Sequence, residues 1–377
     1  MKFMDILENE LKSVDRYVDV DRYKLTDRAF GQNGVWSFFD YVLFILTNKG
    51  KSLTLEIEDF VEKYFDDDES KLITKEAVSK QRQKFSAEIF KDMNKAFVKE
   101  YYRSEEYVPI FKEYYVLVID GSRSEIPNTP ESKEWANIKE NSLTNKKASR
   151  TLFSAVSDPF HGIFLDVILG KSDSSERDLV KEHIKNIKNL VNLNKTIIIF
   201  DAGYYSLELK IFLEKHGIKY IFRLPPNVYD KEISNMTDID EVLRLNNTGR
   251  RRRNISDEKL LKEAEKLLYI ESRVLKIPFI NGEDEMEELR LLTNLPKHKV
   301  NTFEIAGLYK DRWEIEVNFD KLKNKMELEN YSGKLQLSIE QDFQARIYIF
   351  NLAMILRNNI HKHLERKNEK KRREEEI

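Results

Sequence analysis

The chain has 377 residues, 41% hydrophobic and 34% charged, with a formal net charge of -2 and no cysteine. That length is too great for one minimal core and points to two or three packed units under a charged exterior. The missing cysteine excludes disulfides and thiolate metal sites, which leaves hard cations held by oxygen as the natural metal option. Asp5, Glu8 and Glu10 stand where a signal peptide needs apolar residues, and the longest oily run, 36–46, contains Asp40 and is too short to cross a bilayer. A cytoplasmic protein with no membrane contact is expected.

From the start to about residue 105 the pattern is helical: Trp36, Phe39, Leu43 and Leu46 recur at three or four, and Thr74 is placed to cap a helix holding Val78 and Arg82. The acidic run Asp66-Asp67-Asp68-Glu69 is expected in the loop before the last helices of this part. Lys71, Lys75, Lys80, Arg82, Lys84, Lys91, Lys95 and Lys99 then share one segment with Glu76, Glu88 and Asp92. Further basic stretches are Arg250 to Arg253 and Lys362 to Arg373. Each taken singly reads first as a solvated helix face or loop; together they favour a polyanion partner modestly.

From Tyr114 the pattern turns to strands, 114–119, 151–156 and 163–169, with Asp120-Gly121 and Asp158-Pro159 as turn signals. A helix over 176–190, a strand over 196–200, a helix over 207–216 and a strand over 219–224 follow. Three strands and then alternating helix and strand predict a mixed sheet covered by helices. Pro225-Pro226 breaks this rhythm, and the interval to Phe303 reads as an insertion with strands over 268–279 and 288–294 about a turn at Asn281-Gly282. Helices are expected over 303–328 and 338–364.

The helix over 303–328 is the most informative. At roughly 100° per residue, Tyr309, Arg312, Glu316 and Lys323 fall within about 60° of one another, while Ile315, Phe319, Leu322 and Met326 form an adjoining apolar stripe. The polar edge offers a carboxylate flanked by cations and a phenol, suited to metal and phosphate. It also reads as a surface helix with an i, i+4 ion pair between Arg312 and Glu316. Asp120 and Asp201 each follow a strand that must be buried, although both also sit in ordinary turn compositions. If the two strands are neighbours, the aspartates converge at one sheet edge, where Glu316 can complete a three-carboxylate cluster that requires cations. His161, His183, His216 and His298 are scattered and suggest no shared site.

Tyr309-x2-Arg312-x3-Glu316-x6-Lys323 resembles the Tyr-Arg-Glu-Lys signature of insertion-sequence DDE transposases of family four, within the superfamily that includes retroviral integrases. Asp120-Gly121-Ser122 is similar to that family's first catalytic motif, Asp201-Ala202-Gly203-Tyr204 to its second, and Leu291 to Pro296 to the segment before its last helix. The resemblance covers about 115–356. It implies an α/β fold, a ribonuclease H-like mixed sheet flanked by helices, with a β-rich insertion and an N-terminal helical domain.

The implied organisation is a DNA-binding domain at 1–105, the catalytic core at 106–225 and 302–360, the insertion at 226–301 and a charged tail at 361–377. Implied site residues are Asp120, Asp201 and Glu316 as catalytic ligands of two Mg²⁺ ions, with Mn²⁺ as a substitute. Tyr309, Arg312, Lys323, Arg82, Lys84, Arg250 and Arg251 are expected to contact DNA phosphates. The implied activity is metal-dependent cleavage at the ends of a transposable element and transfer of the 3'-hydroxyl into target DNA. Implied partners are double-stranded DNA with terminal inverted repeats, target DNA and a second copy of the chain, with nucleoid association when DNA is bound.

A cleaving nuclease or resolvase of the same fold, and a non-catalytic DNA-binding descendant, are the alternative readings. Relatives that form DNA hairpins carry a stacking tryptophan in the insertion. Here Trp36, Trp135 and Trp313 all lie outside it, leaving Tyr269 or Phe279 for that task.

Overall fold

The computed structural model describes residues 19–27, 29–31, 34–103, 111–139, 148–280 and 286–375. Four helices come first: α1 (Phe38–Thr47), α2 (Leu53–Tyr64), α3 (Lys75–Arg82) and α4 (Glu88–Arg103). Asp40, which interrupts the oily run, is there to start a helix: it accepts from the Ser37 amide while Ser37 accepts from the Asp40 amide. Trp36 packs on Tyr41, Phe44 and Phe60, and its indole donates to the Lys71 carbonyl. Asp66 and Asp67 hold positive φ in the loop between α2 and α3, as the acidic run predicts.

The remainder runs β1 (Tyr115–Ile126), α5 (Pro130–Trp135), β2 (Ser149–Asp158), β3 (Ile163–Leu169), α6 (Glu176–Ile187), β4 (Thr196–Phe200), α7 (Leu207–Lys215), β5 (Lys219–Arg223), α8 (Asp230–Ser234), β6 (Asp240–Asn246), α9 (Gly249–Arg252), α10 (Glu258–Glu265), β7 (Tyr269–Ile280), β8 (Met286–Thr293), α11 (Thr302–Asp311), α12 (Glu314–Asp320) and α13 (Gln336–Glu375). One eight-stranded sheet has the order β3-β2-β1-β4-β5-β8-β7-β6. β1, β4 and β5 are parallel, and every other pairing is antiparallel. Helices on both faces cover β4, whose five residues are all buried. The segment expected as an insertion contributes three strands to this sheet, because β8 hydrogen-bonds directly to β5 through Ile221 to Arg223.

The structure corrects several boundaries. Asp120-Gly121 is no turn: β1 continues to Ile126 because β2 satisfies its backbone beyond the point where β4 ends. The helix expected over 303–328 is broken at Arg312 and Trp313 and ends in a π-turn, Lys321–Lys325. The charged tail expected at 361–377 continues α13 as far as Glu375. The first 18 residues and the expected turn at Asn281-Gly282 lie outside the described residues.

The N-terminal helices share one hydrophobic core with the sheet. Arg82, expected to meet DNA, is instead 2% exposed and donates to Gln341, the Ser338 carbonyl and Asp342 on α13. Burying a guanidinium requires such a saturated set of acceptors, so the basic residue at 82 locks α3 to α13. Likewise Asn351 donates to Asn94 on α4 and to the Phe164 carbonyl on β3. Among the described residues no helix is long and apolar enough to cross a membrane.

Candidate active site

Parallel pairing of Val118 with Ile199 fixes the centre of the site. Carrying that register two residues further on both strands sets Asp120 level with Asp201, where β4 leaves the sheet. Alternation along β1 sends Asp120 and Ser122 to one face and Gly121 to the other. On the Asp120 face lie α11 and α12. Tyr309 donates to Asp201 Oδ1 at 3.2 Å; Arg312 lies 3.4 Å from Asp120 Oδ2 and donates to Glu316 Oε1 at 2.9 Å. Lys323 donates to Ser122 Oγ at 2.8 Å and to the Arg123 carbonyl at 2.5 Å. Ile315 and Leu322 are fully buried beneath them, so the apolar stripe anchors the helix and the polar edge faces the aspartates.

Burial pushes the Asp120 carboxyl up to about 6, assisted by the charges of Asp201 and Glu176 and opposed by the Gly121 amide and Arg312. Burial also lowers Lys323 and raises Tyr309. Among the described residues no three carboxylates or histidines are gathered closely enough to form a ready metal cage. In this arrangement the Arg312 guanidinium supplies the positive charge between Asp120 and Glu316. The donor set still fits a hard divalent cation: the groups facing one another are carboxylate oxygens. The buried Tyr204 hydroxyl, beside Ser154, lies among the charges of Asp120, Glu176 and Asp201.

Of the other expected contacts, Lys84 is half buried beside a cavity that Phe30 and Trp36 also line. Arg250 is exposed, and Arg251 stacks 3.7 Å from the centre of the Tyr229 ring. Tyr269 lies under Arg244, away from the carboxylates, whereas Phe279 lines a cavity of about 530 Å³ with Arg223, Tyr309, Arg312 and Trp313. Sequence reasoning missed Arg223, Trp313 and Glu176. Arg223 ends β5 as Asp201 follows β4, and its guanidinium lies 3.9 Å from Asp201, so the strand-end rule that found the aspartates also reaches it. Glu176 carries no signal beyond opening a helix. Among the described residues the histidines gather in no metal-holding group: His183 is fully buried, 2.6 Å from Asp166 and 3.0 Å from Ser154, and His161 is paired with Asp158.

A central sheet in which β2 is antiparallel between β1 and β3, β4 and β5 run parallel beyond β1, and two aspartates meet a helix bearing arginine and glutamate defines a ribonuclease H-like α/β protein. Residues 111–352 match the family described as the transposase DDE domain, and the chain belongs to that family. A solved structure similar to it is the piggyBac transposase synaptic complex with hairpin DNA, determined by cryo-EM. Identity is 11% and the TM-score 0.45, over 94% of this chain and 75% of that chain. No curated protein sequence matches.

Proposed function

We propose that the chain cuts DNA at the ends of a transposable element and joins the freed strand to target DNA, with Asp120, Asp201 and Glu316 as ligands of two divalent cations. The observation that carries this reading is the register placing Asp120 level with Asp201, opposite the Arg312–Glu316 pair. Two such ions, when bound, activate the attacking oxygen and offset charge on the leaving oxygen of an in-line displacement. Mg²⁺ suits a partly hydrated carboxylate site and Mn²⁺ substitutes for it.

In the first step water attacks a phosphorus at the element end; its oxygen bonds to phosphorus, and the 3'-oxygen departs and takes up a proton. In the second, that 3'-hydroxyl attacks a target phosphodiester and displaces the target's own 3'-oxygen. Arg312 must release Asp120 for this work and turn its planar fork to a phosphate, while Lys323 meets another as a point charge. Tyr309, held by Asp201, orients a phosphate oxygen. Lys84, Arg250 and Arg251 neutralise phosphates further along the duplex. Arg82, being buried, is withdrawn from that set. Two copies of the chain, one at each element end, complete the DNA complex.

The test is Mg²⁺-dependent nicking and joining of DNA carrying the inverted repeats that flank the reading frame. Nicking without joining in the wild type indicates a nuclease or resolvase, and full activity in Asp201→Ala or Glu316→Ala rejects the assignment. A wild type that neither nicks nor takes up divalent ions in calorimetry is a binding protein.

A further inference from the structure

Arg177 and Arg251 line one small cavity of about 170 Å³, together with Tyr205, Tyr229 and Glu208. Arg177, in the first turn of α6, donates to the Gly203 carbonyl through Nε at 3.2 Å and Nη2 at 2.9 Å. Gly203 is two residues past Asp201, so this guanidinium sits against the turn that carries the second aspartate. Arg251, in α9, lies over Tyr229 with its guanidinium carbon 3.7 Å from the ring centre. Tyr229 is 1% exposed and held in the left-handed region at φ 57, a conformation that a bulky residue rarely adopts. Its hydroxyl accepts from Tyr205 at 2.8 Å and is also within reach of Arg251. The ring is thus fixed from beneath, and it steadies the guanidinium above it.

Neither guanidinium has a carboxylate at ion-pair distance among the described residues. Glu208 lines the same cavity, but its oxygens are taken by Lys181, the Ser256 amide and hydroxyl, and the Asp257 amide. Two like charges sharing a cavity repel, and an anion between them removes that cost. A guanidinium has five N–H donors; Arg177 gives two to one carbonyl, and the others remain for a further acceptor. The cavity is smaller than the roughly 300–1,000 Å³ of small-molecule sites, which suits one phosphate group of a longer chain and not a free nucleotide. Stacking on Tyr229 accounts for the place of Arg251, but not for a second arginine without a carboxylate on the same cavity.

We propose that Arg177 and Arg251 form a seat for one phosphodiester of the DNA backbone, beside the Asp201 turn and apart from the cations. This rests on the proposed function, which makes DNA the substrate. It adds the place of the contact and a residue, Arg177, that lies outside every basic run. The seat reads no base; it fixes the register of a strand against Asp201. An element end and a target strand both carry the phosphodiester it takes.

The experiment measures binding of the whole chain in EDTA, so that no divalent ion takes part. One probe is a duplex carrying the flanking inverted repeats, with single phosphates replaced in turn by neutral methylphosphonate. The other is a branched DNA whose end is already joined to target, with the replacements in its target arms. Arg177→Gln and Arg251→Gln should each weaken binding about tenfold and reduce the slope of log affinity against log salt by about 1. The double variant should lose little more, because both side chains serve one phosphate. At one position methylphosphonate should weaken the wild type by a similar factor and leave both variants unaffected; the probe that shows it assigns the phosphate to the end or to the target. Arg251→Lys should keep the salt slope and still lose affinity, since a point charge does not replace the fork. Circular dichroism checks the fold of each variant. Separate interference positions for the two arginines, or wild-type affinity in both glutamine variants, overturn the shared seat and leave DNA as the substrate. A wild type that binds neither probe overturns both.

Discussion

Arg82 donates to Asp342 at 2.6 Å, joining α3 to a helix 260 residues later in the chain, and both side chains are almost wholly buried. Removing one partner leaves the other charge buried without compensation. Arg82→Ala is therefore expected to destabilise the fold by about 3–5 kcal/mol, measured by urea unfolding. Stability unchanged with DNA affinity lost would return Arg82 to the DNA interface. Deleting the N-terminal helices is a poor test of DNA recognition, because they share the core; Lys84→Ala, whose side chain is half buried, separates the two effects.

Catalytic loss should be concentrated in three carboxylates. Asp120→Asn, Asp201→Asn and Glu316→Gln should each lower strand nicking by roughly 10³-fold or more, and the double variants should lose little beyond that, as groups acting as a unit do. Additive losses in single-turnover assays would mean that the carboxylates act separately.

Asp120 gives the metal-free protein a pH dependence. Its folded carboxyl is raised to about 6 from an ordinary 3.8, so its contribution to stability is complete below 3.8 and declines as pH rises through 6. The shift corresponds to about 3 kcal/mol at most, reduced by residual solvent contact. In EDTA, unfolding free energy should fall between pH 4 and pH 7 more in the wild type than in Asp120→Asn. Parallel pH profiles for the two proteins would contradict this.

Trp313 is 62% exposed at the mouth of the cavity that Phe279 also lines. Trp313→Ala should leave stability within about 0.5 kcal/mol of wild type, since little packing is lost. Binding of cleaved ends that carry 2-aminopurine near the cut should weaken by about 1–3 kcal/mol if an unpaired base stacks there. Retained affinity and unaltered fluorescence would show that the cavity holds no base.

His183 holds Asp166 and Ser154 together beneath β2. His183→Ala should cost about 1–3 kcal/mol for each polar group left unmatched, while nicking at a permissive temperature stays near wild type. A lost activity with intact stability would make this histidine more than a packing element.

Much of the fold was legible. The strands at 163–169 and 196–200 follow from apolar runs that can only be buried, and both have the expected bounds. Asp120 and Asp201 were found because each follows such a run, but their equal level depends on the β1–β4 register, a pairing between distant segments. Asp120-Gly121 looked like a turn because local composition cannot reveal that β2 continues the ladder beyond it. Arg82 was misplaced for a similar reason: its partners lie at 332–342, and no local pattern distinguishes a buried arginine from a solvated one. The closeness of Glu176 to Gly121 could not be found from spacing, since it arises from the helix that lowers it onto β1.

Because β8 is laddered to β5, and β5 ends at Arg223 beside Asp201, the three outer strands are a cantilever welded to the floor of the candidate site. A force applied at the outer strand β6 would reach the aspartates through continuous backbone hydrogen bonds, with no swivel between them. DNA leaning on that outer rim would therefore be gauged as if by a fixed jaw, its distance from Asp201 set by the four strand spacings between β6 and β4.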